Sequence, residues 1–240
     1  MKSEAIPPPV DRLARLSLFY PMYNEEANIE EAVRRALEIL PRYADGFEVI
    51  LVDDGSRDAT GAIADRLSAG DPRLRAVHHG VNRGYGAALQ SGIAASRYEW
   101  IFYTDGDNQF DLDEIRLLLP AARDADIVSG YRIARRDPWN RRLNARLFNL
   151  GMRILFGLRL RDADCAFKLY RRSIFEGLEL HSNGAMIDAE ILARARRKGA
   201  RIVEVGVHHY PRTAGSQTGA RLSVISRAFR ELLGLWASLR

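Results

Sequence analysis

Only one cysteine, Cys165, occurs in the 240 residues. That excludes an intramolecular disulfide framework, and no Cys/His spacing of the zinc type accompanies it. A reducing cytoplasm is the expected setting. Charge-free runs are short, and none approaches the roughly 18 residues of a membrane span. The start of the chain, with Pro7-Pro8-Pro9 in place of an apolar stretch, reads as a proline-stiffened tail without signal-peptide character. Charge of one sign is not dominant either: the net value is +5, so distribution matters more than sum. No RNA-recognition motif accompanies the basic residues, and nucleic acid is not an expected partner.

What is present is an alternation of apolar runs and amphipathic segments. Leu16 to Tyr20, Val49 to Val52, Leu74 to Val77 and Trp100 to Tyr103 suit buried strands. Between them, Glu25 to Leu40, Thr60 to Ala69 and Gly84 to Ala95 have helical character. Strand and helix in turn predict an α/β fold with a central, mostly parallel sheet flanked by helices. In such a sheet ligands bind at the carboxyl ends of the strands. The loops there carry Tyr23-Asn24-Glu25, Asp53-Asp54-Gly55-Ser56 and Asp105-Gly106-Asp107-Asn108-Gln109. Two carboxylates one residue apart, with a carboxamide two residues on, present oxygens to one small volume, which suits Mg²⁺ or Mn²⁺ and a phosphate-bearing partner. The loop Asn82-Arg83-Gly84-Tyr85-Gly86 reads either as a close backbone approach to a ligand or as a turn with a well-packed helix. No Gly-Lys-Ser/Thr follows it, so it is not a P-loop.

These motifs, with His209-Tyr210-Pro211-Arg212-Thr213-Ala214-Gly215-Ser216 after them, occur in the order seen in family 2 glycosyltransferases. From Leu16 to Gly219 the chain resembles that family, and within it the dolichyl- or polyprenyl-phosphate hexosyltransferases. The resemblance implies the GT-A fold, a Rossmann-like nucleotide-diphospho-sugar transferase. It assigns the GDP- or UDP-hexose donor to Pro21, Tyr23, Asn24, Glu25, Asp53, Asp54, Gly84, Asp105 and Gly106. For Asp54 and Ser56 a polar turn capping the next helix is an equally good reading. A divalent cation, Mg²⁺ or Mn²⁺, is implied at Asp105, Asp107 and Gln109, and Asp105, Asp107 and Arg212 are the implied catalytic groups. Arg212 suits closure over a diphosphate, since its fork of donors matches phosphate oxygens.

The second half of the chain is expected to build the acceptor side. Asp126 to Arg132 reads as a strand and Arg201 to Val207 as another that returns to the sheet. From Arg135 to Arg161 eight arginines face one acid, Asp137, with large apolar residues among them. Such a segment suits a membrane interface carrying anionic lipid, or an ordinary helix with solvated arginines. Arg132 and Arg142 match basic acceptor-side positions of the polyprenyl-phosphate branch, and Lys168 is a third candidate, although Cys165-Ala166-Phe167-Lys168 departs from the Ser-Gly-Phe-Arg often found there. Asp188 and Glu190, at the start of a helix to Lys198, either face the sugar or complement the helix dipole. His209 suits a core position or a ligand.

The expected layout is a flexible tail at 1–11, a catalytic domain at 12–220 whose donor half runs to about 130 and acceptor half from 131, and an amphipathic helix at 221–240. The resemblance implies a metal-dependent, inverting transfer of a hexose to a polyprenyl phosphate, with the protein peripherally associated with the cytoplasmic face of the membrane. Transfer to a hydroxyl on a lipid or glycan, with Asp188 or Glu190 as base, and a nucleotide-sugar binder without turnover are the alternatives.

Overall fold

A computed structural model describes residues 12–133, 139–212 and 234–237, with the side chains of 139–146 left out. The expected tail at 1–11, the segment 213–220 and most of the helix at 221–240 lie outside the described residues, as does the side chain of Arg142. Seven strands form one sheet: β1 (Leu13–Met22), β2 (Ala44–Asp53), β3 (Leu74–His78), β4 (Trp100–Thr104), β5 (Ile127–Ile133), β6 (Phe167–Arg171) and β7 (Ile202–His208). Their order is β3-β2-β1-β4-β6-β5-β7. Every pairing is parallel except those of β6, which runs antiparallel to both β4 and β5.

The strands read from apolar runs are all present, and two features differ from expectation. Pro21 does not end β1, which continues to Met22. Pairing with β4 stops at Phe19, so beyond that point β1 is flanked only by β2 and the missing N–H of proline breaks no ladder on the other side. β6 is the strand that the sequence does not announce. Its second residue is a lysine, and the neighbours Phe167, Leu169 and Tyr170 are all buried without alternation, because helices cover both faces.

Helices α1 (Ile29–Ile39), α2 (Thr60–Gly70), α3 (Tyr85–Ala95), α4 (Ile115–Ala122), α5 (Trp139–Phe156) and α6 (Ile187–Arg197) connect the strands. α1 starts four residues later than its apolar spacing predicts, since Glu25 to Asn28 form a turn closed by Asn28 N–H to the Glu25 carbonyl at 2.9 Å. α3 buries only small residues and one leucine, which lets it sit close to β1. At Gly92 a methyl group would fall 2.3 Å from the Phe19 ring. This close packing holds the start of α3 over the carboxyl ends of β1 and β4, beside the loops singled out above.

Candidate active site

The first two loops are fastened to one another before any ligand is considered. Asn24 holds a left-handed backbone at φ 56°, a conformation that asparagine tolerates. Its N–H donates to Ser56 Oγ at 2.9 Å, and its side-chain oxygen accepts from Arg57 N at 2.8 Å. Glu25 N–H donates to Thr60 Oγ1 at 2.8 Å. Pro21 lies buried at the end of β1, whereas Tyr23 is exposed and presents its ring to solvent. Asp53, buried at the end of β2, accepts from Ser56 N at 2.9 Å and meets His78 Nδ1 at 3.2 Å. Hydrogen bonds to Asp65 and Asp53 raise the His78 pKa against the opposing effect of burial, the largest single influence.

Asp54 has a different place. Its oxygens accept from the backbone of Arg83 and Gly84, each at 2.9 Å, and from His79 Nδ1 at 2.6 Å. The carboxylate holds the glycine loop and does not cap the helix that follows β2, as the turn reading had it. Gly84 has φ 97°, and a methyl group on it would lie 2.5 Å from the Asn183 carbonyl oxygen; on Gly86 it would lie 2.3 Å from that of Ser182. The backbone that approaches these glycines closely is thus the chain's own. Their freedom docks the segment before α6 onto α3.

The loop from Asp105 to Gln109 follows β4. Asp105 is half-buried, and Asp107 and Gln109 are buried, while Gly106 packs tightly on Met22. Asp107 Oδ1 accepts from Gln109 N at 3.1 Å, and Tyr85 donates to Asp105 Oδ1 at 3.1 Å. Burial first, then the charge of Asp107, pushes the Asp105 pKa up; burial also raises that of Asp107, against its hydrogen bond to Gln109. Gln109 Nε2 donates to the Tyr210 carbonyl at 2.8 Å. A carbonyl only accepts, so the amide nitrogen faces Tyr210 and Oε1 is left for another partner. Tyr210 N donates back to the Gln109 carbonyl at 2.8 Å, and the His209 ring stacks edge-on against Phe110 at 4.8 Å. Residues 209–212 are therefore pinned to the loop after β4. Arg212 completes the arrangement with bonds of 2.5 and 2.6 Å to the Glu25 carboxylate and a guanidinium 3.7 Å from Asp107 Oδ2. Residues 187 positions apart thereby meet.

Two carboxylates and an amide are hard oxygen donors. Among the described residues no cluster of three or more His, Cys, Asp or Glu could hold a metal by itself. A site with two protein carboxylates, both raised in pKa chiefly by burial, fits a divalent cation whose remaining ligands are phosphate oxygens and water.

In the second half of the chain, Arg132 in β5 forms a fork with Asp162 at 2.7 and 2.8 Å. Asp164, two residues on, is exposed to solvent at a crowded rim; that crowding, with Asp188 adding and Arg132 opposing, raises its pKa. The sequence showed this second Asp-x-Asp but attached no role to it. Lys168 differs from expectation. Its side chain is fully buried, and its ammonium donates to Asp188 Oδ1 at 2.8 Å, to Tyr103 Oη at 3.3 Å and to the Cys165 carbonyl. Three donors meet three acceptors, so no hydrogen is left to grip an acceptor. Asp188 also accepts from the Tyr103 hydroxyl. Glu190 accepts from the backbone of His181 and Ser182 and from Arg194. Tyr85 and Tyr103 escaped the sequence reading because neither a tyrosine inside a glycine loop nor one inside a strand marks itself as polar lining.

With this geometry in view, the comparisons with known proteins are direct. The family model described as "Glycosyl transferase family 2" matches residues 17–178. Glycosyltransferase AglD of Haloferax volcanii is 36% identical over 208 residues, covering 82% of this chain and 33% of that protein. An undecaprenyl-phosphate 4-deoxy-4-formamido-L-arabinose transferase of Pseudomonas paraeruginosa is 37% identical over 175 residues, 72% of this chain and 50% of that protein. The chain thus spans between a third and a half of these curated relatives. Among solved structures, glucosyl-3-phosphoglycerate synthase from Mycobacterium tuberculosis, in complex with Mn²⁺, UDP and glucosyl-3-phosphoglycerate, superposes with a TM-score of 0.72 at 21% identity, over 93% of this chain and 80% of that one. Its complex with phosphoglyceric acid gives 0.73. The sheet order, the motif order and these matches agree: the chain has the GT-A fold and belongs to glycosyltransferase family 2.

Proposed function

We propose that this chain catalyses inverting, metal-dependent transfer of a hexose from a nucleotide-diphospho-sugar, GDP- or UDP-linked, to a polyprenyl phosphate. The observation that carries the reading is the meeting of Asp105, Asp107 and Gln109 with Arg212 and Glu25 at the carboxyl ends of β1, β2 and β4. Asp105, Asp107 and Gln109 Oε1 would hold Mg²⁺ or Mn²⁺, which when bound supplies Lewis-acid stabilisation of the departing diphosphate. Arg212 neutralises charge beside it, and the tie of residues 209–212 to the metal loop holds that guanidinium in place. Asn24, Glu25, Asp53 and the exposed Tyr23 ring line the nucleoside side.

A phosphate monoester is an anionic nucleophile at neutral pH, its second ionisation lying near pH 6 (roughly, by analogy with phosphorylated side chains), and it needs no base. That suits the arrangement of acids, because Asp188 and Glu190 are both engaged in internal hydrogen bonds. Arg132, with donors beyond the two that meet Asp162, orients the phosphate, and one direct attack inverts the anomeric carbon. The name of the undecaprenyl-phosphate relative supports a lipid acceptor. Transfer to a hydroxyl is the second reading, favoured by one observation: Asp164, with its pKa raised to about 6, suits a general base.

A lipid acceptor requires access to a bilayer. No helix among the described residues is long and apolar enough to cross a membrane. α5 instead exposes Leu147, Leu150 and Ile154, the last by 71%, within the Arg-rich segment. We infer that this face lies on anionic lipid at the cytoplasmic surface. The test is release of nucleoside diphosphate from UDP- and GDP-hexoses with polyprenyl phosphate and with free polyprenol. Asp107→Asn and EDTA are expected to abolish release with the fold retained. Full activity in either, or a preference for polyprenol, overturns the corresponding part.

A further inference from the structure

The resemblance leaves Tyr85 without a role, yet its hydroxyl donates to Asp105 Oδ1 at 3.1 Å. That bond engages one carboxylate oxygen and leaves Oδ2 without a hydrogen bond among the described residues. Tyr85 is itself held firmly. The preceding Arg83 and Gly84 are clamped by Asp54, and the following Gly86 donates to the Asn183 carbonyl at 2.9 Å. Its phenol adjoins that of Tyr103, which is fixed by Asp188 and Lys168 below it. Asp105 thus stands at the end of a polar line that starts in β6 and α6, on the acceptor half, and reaches the metal loop through two tyrosines.

We propose that Tyr85 is a positioning residue for the cation: it restricts Asp105 to a single-oxygen ligand of fixed direction, and the Tyr103–Asp188–Lys168 group keeps Tyr85 in register. The inference rests on the metal reading above. Hydrogen-bond partners that orient metal ligands belong to the site, and their loss weakens metal binding by about 10–100-fold. Without the hydroxyl, Asp105 is free to rotate or to bind through both oxygens.

The experiment measures Mn²⁺ affinity directly, from the electron paramagnetic resonance signal of free Mn²⁺, with and without UDP, alongside thermal denaturation of the metal-free protein. In Tyr85→Phe, Mn²⁺ binding is expected to weaken by about 10–100-fold while the metal-free melting temperature stays near that of the wild type. Adding Tyr85→Phe to Asp105→Asn is expected to weaken binding no further, because the ligand being positioned is already altered. Wild-type affinity in Tyr85→Phe, or full additivity of the two changes, overturns this inference and leaves the proposed function standing. A wild-type protein that binds no Mn²⁺ in either condition overturns both.

Discussion

Replacing Lys168 by methionine separates a structural from an acceptor-binding role for this residue. Methionine keeps most of the stem and removes the ammonium, leaving Asp188, the Tyr103 hydroxyl and the Cys165 carbonyl without their donor in a place closed to water. Breaking a buried pair by removing one partner destabilises by about 3–5 kcal/mol, because the remaining charge stays buried without compensation. For a domain of this size each kcal/mol shifts the melting temperature by about 2–4 °C, so a fall of roughly 6–20 °C is expected. Lys168→Met with Asp188→Asn removes both charges and is expected to regain a large part of that loss, since the carboxamide oxygen that replaces the carboxylate still accepts from Tyr103. The assay is calorimetric unfolding of the wild type, both single variants and the double variant, with acceptor kinetics on the folded fraction. An unchanged melting temperature together with a KM for polyprenyl phosphate raised tenfold or more would refute the structural assignment and return Lys168 to the acceptor site.

Two further outcomes are expected. Asp105 is raised from the ordinary carboxylate range to about 8 by burial and by Asp107. The folded, metal-free protein then holds more protons than the unfolded chain across that window, so its stability falls as pH rises through it. A cation must displace this proton, so the thermal shift caused by Mn²⁺ should be larger at alkaline than at mildly acidic pH; the opposite order would refute the raised Asp105 pKa. For the lipid face, changing Leu147, Leu150 and Ile154 together to serine should reduce binding to anionic liposomes, and binding by the unchanged protein should fall with added salt. Binding indifferent to both would remove the membrane contact.

Every strand but β6 and most helix bodies were legible because each is a local pattern: short apolar runs, or apolar residues three and four apart. The loop proposed to hold the cation stands out in the sequence as well, since its two carboxylates and amide are neighbours in the chain. Two kinds of feature were hidden. β6 looks unlike a strand because its lysine is neutralised by Asp188, which comes from another element 20 residues away. The glycine loop allowed two readings, and the choice between them depended on where residues 181–183 return.

By itself the sequence determined that strands alternate with helices, and therefore that the three polar loops share one edge of a parallel sheet. Which side chains remain free at that edge was a matter for the tertiary structure. Asp53 and Asp54 are adjacent and chemically identical, yet one stands beside His78 while the other clamps the backbone of Arg83 and Gly84. Lys168 and Arg132 are both basic and lie on the neighbouring strands β6 and β5, yet one is saturated by buried acceptors and the other keeps donors in reserve. The reason is the same in each case. A charged group removed from water must find partners within hydrogen-bonding distance, and those partners come from wherever the packed chain brings them, as Asp188 comes to Tyr103 across 85 residues.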